Sequence, residues 1–105
     1  MKPDIYIKVR FKTSEEGGRK TSVKRKTPLG PDFYGCPLMV DGKAYDCRLL
    51  IGDKEIELGK YYEIPVKFLD KDLALPNLAV GKSIVLLEGK EVAGGEVTKI
   101  CDHQC

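Results

Sequence analysis

The stretch "DIYIKVRF", Asp4 to Phe11, decides the fold. Ile5, Ile7, Val9 and Phe11 fall on one face of an extended chain, and Tyr6, Lys8 and Arg10 fall on the other. A hydrophobic period of two describes a strand with one face in a core and one in water. The same period recurs outward from it. "FYGCPLMV" (33–40) and "AYDCRLLI" (44–51) flank Asp41-Gly42-Lys43, and Asp-Gly supplies the positive φ angles that a tight hairpin needs. Tyr45, Cys47, Leu49 and Ile51 then share a face. "YYEIPVKFL" (61–69) reads as a further strand, and its Pro65 points to a sheet edge or a bulge. "KSIVLLEGKEVAGGEVTKI" (82–100) reads as two strands joined at Glu88-Gly89-Lys90. Gly94 and Gly95 lie inside the second, where glycine marks a bulge or a close backbone approach.

No segment has a helical period of convincing length, and no repeat or low-complexity tract occurs. The longest connection, "DKDLALPNLAVG" (70–81), offers Leu73, Leu75 and Leu78 to the underside of the core. Six or seven short strands in 105 residues predict an all-β sandwich or barrel, and closure is the better answer to the problem of exposed edges. The predicted core is Ile5, Ile7, Val9, Leu49, Ile51, Val66, Phe68, Ile84, Leu86, Val97 and Ile100. A chain of this length forms one domain, residues 1–105, burying roughly 60–70% of its unfolded surface. Residues 101–105 are expected to form a loose tail.

Charged residues make up 32% of the chain, and the net charge of +2 is too small to imply nucleic acid by itself. The N-terminal segment alternates and contains no apolar run of the signal-peptide kind, and no span suits a membrane. The expected location is the cytoplasm, with reduced cysteines.

Three motifs occur in order: "EEGGRKT" (15–21) after the first strand, "PDFYG" (31–35) opening the next, and "EGKEVAGGEVTKI" (88–100) at the end. Together they resemble the C-terminal barrel domain of bacterial elongation factor Tu, over about Ile5 to Ile100. The resemblance implies a six-stranded antiparallel closed β-barrel. It also implies that the bend after the first strand lies on the side that faces aminoacyl-tRNA. Two residues depart from the family pattern, Lys20 for a usual His and Ser22 for a usual Pro. No counterpart of the family's GTPase domain or middle barrel is present in the sequence, so the expected unit is a standalone barrel.

Chemistry-bearing motifs are few. "VGKSIV" (80–85) imitates the end of a phosphate-binding loop, but the required earlier glycine is Pro76, which lacks an N–H. Neither nucleotide nor any other cofactor is expected. In "CDHQC", Cys101, His103 and Cys105 share a face if extended, yet structural zinc takes four ligands; they are low-ranking metal candidates. Cys36 and Cys47 read as small core hydrophobes. His103 is the only histidine. Glu63, Asp70 and Asp72 lie beside loops as solvated carboxylates, so no catalytic site is expected.

The remaining concentration of chemistry is the bend. Arg19, Lys20, Lys24, Arg25 and Lys26 supply positive charge, and Thr21 and Ser22 supply hydroxyls, a combination suited to phosphate oxygens. With Gly94 and Gly95 of the terminal motif they form the candidate RNA- or partner-binding set. Two readings follow. One is a non-catalytic module that contacts tRNA, rRNA or a translation factor through the basic loop. The other is a protein-interaction or mimicry role, of decoy or immunity type, that presents an elongation-factor-like surface without RNA.

Overall fold

The computed structural model describes residues 2–25 and 29–101. Strands β1 (Ile5–Phe11), β2 (Tyr34–Val40), β3 (Lys43–Leu49), β4 (Tyr61–Phe68), β5 (Ser83–Leu87) and β6 (Glu91–Ile100) carry the fold. Helix α1 (Lys71–Ala74) and two 3-10 turns, Ser14–Glu16 and Leu75–Asn77, fill connections. The strands form a closed barrel in the order β1-β4-β3-β2-β5-β6, and every neighbouring pair is antiparallel. This is the expected all-β, six-stranded antiparallel barrel.

The alternation of β1 is realised in full: Ile5, Ile7, Val9 and Phe11 are all 0% exposed. Leu38, Leu49, Val66, Ile84, Leu86 and Val97 join them inside, and a fully buried aliphatic side chain of this kind contributes about 1.5–3 kcal/mol. Ile100 is only half-buried but packs against the core: the register between β1 and β6 slips between Tyr6 and Ile7, and the extra residue there brings Ile100 opposite the buried Ile5 at the end of the barrel.

The hairpin at Asp41-Gly42 has φ of 50° and 76°, the primed-turn geometry predicted for Asp-Gly. Pro65 is not at a sheet edge. It lies on β4 between β1 and β3, opposite Tyr6 and one residue beyond the last β3–β4 pair, Leu49 with Val66. Its carbonyl still accepts the Leu50 N–H at 2.9 Å, but the ladder ends there, so the missing proline N–H costs no bond.

In the connection between β4 and β5, Leu78 is buried and Leu75 is half-buried, as expected, whereas Leu73 is 63% exposed. The single turn of α1 directs Ala74, which is 0% exposed, toward the barrel instead. Leu73 therefore goes out, and Leu78 enters the core separately, in extended conformation after the Leu75–Asn77 turn.

One buried carboxylate joins the strand ends. Asp4, 5% exposed, accepts the Phe68 N–H at 2.8 Å and lies 3.4 Å from the Lys67 ammonium. Its backbone N–H donates to Val66, and its carbonyl accepts the Cys101 N–H, both at 2.8 Å. Cys101 is therefore not part of a loose tail; it is 8% exposed. Residues 102–105 lie outside the described residues.

The terminal glycines are not equivalent. At Gly95 a Cβ would lie 1.9 Å from the Lys8 carbonyl oxygen and 2.8 Å from the Val9 Cα, whereas at Gly94 it would meet nothing within 4 Å. Gly95 lets β6 close against β1. Gly95→Ala is expected to lower unfolding free energy by about 1–3 kcal/mol, the usual range for forced overpacking, while Gly94→Ala stays within about 0.5 kcal/mol. Urea titrations of the two variants check this, and equal midpoints would contradict it.

Candidate functional site: the basic bend

The bend is built before its charges are placed. Thr13 caps the Ser14–Glu16 turn in a reciprocal capping box. The Glu16 carboxylate accepts the Thr13 N–H at 2.9 Å and is bridged by the Arg10 guanidinium at 2.9 and 3.2 Å. Gly17 takes φ 86°, and at Gly18 a Cβ would lie 2.2 Å from the Lys12 carbonyl oxygen. The Gly-Gly pair thus supplies one left-handed residue and one close approach. Beyond it, Val23 pairs with Ile56 as an isolated bridge, with N–H···O distances of 2.9 and 2.8 Å. Both side chains are buried, so the one apolar residue of the bend pins it to the 51–57 segment.

Arg19 is held on every side. Its Nη1 donates to both oxygens of Glu88 at 2.5 Å and to the Tyr34 hydroxyl at 2.7 Å. Its Nε donates to the Thr21 carbonyl at 3.1 Å and its Nη2 to the Ser22 carbonyl at 3.3 Å. Burial, and then the Glu88 carboxylate, push the Tyr34 phenol above its ordinary pKa. Arg25 meets Asp53 at 2.6 Å, and Lys24 lies 4.0 Å from Glu55. Lys20 and Thr21 are exposed. Lys26 lies outside the described residues. Among the described basic residues of the bend, therefore, Arg19, Lys24 and Arg25 each face a carboxylate of this same chain. The partners Asp53, Glu55 and Glu88 were not singled out from the sequence. Their signal was present: an acidic run, "GDKEIE" (52–57), complements "KRK" (24–26).

Gly94 lies opposite Arg10 across the β1–β6 ladder, next to the capping box, and Gly95 is occupied by the closure just described. A shallow depression of about 330 Å³ runs alongside, lined by Lys8, Tyr61, Ser83, Gly95 and Glu96. There the Lys8 ammonium lies 5.4 Å from the centre of the Tyr61 ring. Glu63 accepts the Thr98 hydroxyl at 2.9 Å, and Asp70 caps α1 through the Leu73 N–H at 3.3 Å. Both carboxylates have structural partners.

Lys82, in the sequence that imitates a phosphate loop, donates to the Asn77 carbonyl at 2.9 Å and is ion-paired with Asp41. Cys36 and Cys47 are directly opposite each other and buried with free thiols. Their mutual hydrogen bond, followed by burial, pushes the Cys47 thiol far above its ordinary pKa. Cys101 is disulfide-bonded, which takes its sulfur out of the metal-candidate set. His103 and Cys105 lie outside the described residues. Among the described residues no group of three metal-ligating side chains converges.

The capping box gives the bend a pH dependence. The hydrogen bond from Arg10, followed by those from Thr13, lowers the Glu16 pKa from 4.5 to about 2. A carboxylate depressed in the folded state contributes stability above its unfolded pKa and loses it as pH falls through the folded value. Wild type is therefore expected to lose its advantage over Glu16→Gln progressively between pH 4.5 and about 2. Thermal melts across that window check it; parallel curves would show that the carboxylate contributes nothing.

No known protein-family model matches the chain, and no curated protein matches it.

Proposed function

We propose that this chain is a non-catalytic binding module on an elongation-factor-type barrel, and that its partner is a protein. The observation that carries this reading is the in-chain neutralisation of the bend. Phosphate binding draws its energy from unpaired cations that displace counterions. Here Arg19 already has a two-oxygen carboxylate partner and three further acceptors, and Arg25 has Asp53. Diverting either to RNA would strand a carboxylate beside it. The bend is thus a clasp that holds 51–57 and the β5–β6 turn to the barrel, and it presents a shaped surface on which three of its four described cations, Arg19, Lys24 and Arg25, face carboxylates of the same chain. Such a surface suits protein recognition, where charge selects partners more than it supplies affinity.

The RNA reading keeps one specific support. The Lys24–Glu55 pair spans 4.0 Å with both side chains more than half exposed, and exposed pairs of that kind are worth about 0–1 kcal/mol. Lys24 and Lys20 remain accessible to a phosphate. A titration of labelled tRNA at two salt concentrations separates the two. With three to five phosphate contacts the log–log salt slope would be about −2 to −4. The protein-partner reading expects no binding at physiological salt and a shallower slope. A slope in the steep range that Lys24→Ala/Arg25→Ala flattens by about two units would overturn it in favour of tRNA or rRNA.

A further inference from the structure

The barrel is closed, yet among the described residues the start of β3 has no strand partner on its β4 side. β3 pairs with β4 only at Cys47, Arg48 and Leu49. The last bond beyond them runs from the Leu69 N–H to the Asp46 carbonyl, 3.1 Å, after which the chain leaves the sheet into α1. Backbone groups alternate sides along a strand. Asp46 directs its carbonyl toward β4, so Ala44, two residues earlier, directs its N–H and carbonyl the same way. β4 has ended there. Lys43, Ala44 and Asp46 are exposed on β3.

Beside this edge lies a cleft of about 220 Å³ lined by Ala44, Tyr45, Asp46, Leu69, Asp70 and Leu73. Leu69 is 60% exposed and Leu73 63%. Two large apolar side chains therefore flank a strand edge in water, an arrangement that proteins ordinarily cover or charge. Both charged lining residues are acidic. Asp46 is in no ion pair among the described residues, and Asp70 spends one oxygen on the Leu73 N–H. Asp72 is exposed on the same turn, and the nearby cations Lys43 and Lys71 do not line the cleft.

We propose that this cleft docks an extended polypeptide segment of a partner protein. The segment would add as a short strand at Ala44, seat one apolar side chain between Leu69 and Leu73, and place a lysine or arginine against Asp46 and Asp70. The open edge supplies main-chain hydrogen bonds, the leucines supply the anchor, and the aspartates select a basic flank. The proposal rests on the protein-partner reading above and names the surface and chemistry of that partner. The surface is separate from the basic bend.

The test uses the whole chain and a defined probe. The acetylated, amidated peptide Lys-Leu-Lys-Val-Lys-Leu-Lys is titrated into isotope-labelled protein at about 0.15 M salt, alongside its counterpart with Glu for every Lys. Amide shifts are expected at residues 43–46 and 69–73 with the basic peptide alone. Leu73→Asp and Asp46→Lys are each expected to weaken binding at least about tenfold, roughly 1.4 kcal/mol. Both positions are exposed, and circular dichroism confirms that the variants fold. Shifts mapping elsewhere, equal binding of the acidic peptide, or unchanged affinity in both variants would overturn the proposal. Sedimentation showing a dimer that Leu73→Asp abolishes would assign the cleft to a second copy instead. The tRNA titration does not involve Leu73 or Asp46. A failed cleft with no RNA binding leaves a protein partner at another surface, whereas steep RNA binding overturns the protein-partner reading itself.

Discussion

Strand β1 is paired on both sides along its length, with β4 from Ile5 to Arg10 and with β6 from Ile5 to Phe11, and the barrel closes through it. All four inward side chains of β1 are fully buried, so its register leaves no freedom for slippage. A shift of one residue would carry Ile5, Ile7, Val9 and Phe11 into water together. Closure has a local condition, the absence of a Cβ at Gly95 beneath the Lys8 carbonyl. It has a terminal one in Asp4, whose backbone and carboxylate bind β4 on one side and Cys101 on the other. These constraints bring the β5–β6 turn beside the bend that follows β1, and so bring Glu88 to Arg19.

The bend shows how a charge cluster changes meaning on folding. Along the chain, Arg19 to Lys26 is a run of cations. In space, Val23 and Ile56 bury against each other and set "KR" alongside Asp53 and Glu55. Arg19 folds inward under Tyr34 and Glu88. Its planar fork satisfies two carboxylate oxygens, a phenol and two carbonyls at once, a task for which a lysine has the wrong shape. On the far side of the barrel the balance is opposite. The early end of β4 leaves β3 with an open edge, two exposed leucines and two aspartates. The molecule thus pairs three of the four described cations of the run that is conspicuous in the sequence and exposes a surface that is inconspicuous there.

Core face and hairpin positions were legible from the sequence because a period of two is a local property, imposed by the pleat on each strand separately; closure with six strands followed from the cost of exposed edges and from the family resemblance. The same locality explains the turn at Asp41-Gly42, whereas the difference between Gly94 and Gly95 was decided by the pairing of β6 with β1. Pro65 and Leu73 were not legible. Whether a proline sits at an edge depends on where the neighbouring strand stops, and whether a leucine in a one-turn helix is buried depends on which face the barrel offers. The fate of the basic bend was decided in the same way. Coulomb pairing falls steeply with distance in water, and Arg19 is 69 positions from Glu88. The sequence by itself determined which face of each strand turns to the core, because alternation is imposed strand by strand. Which charges remain available to a partner was decided only by tertiary structure, because closing the barrel brings opposite charges from distant segments within bonding distance.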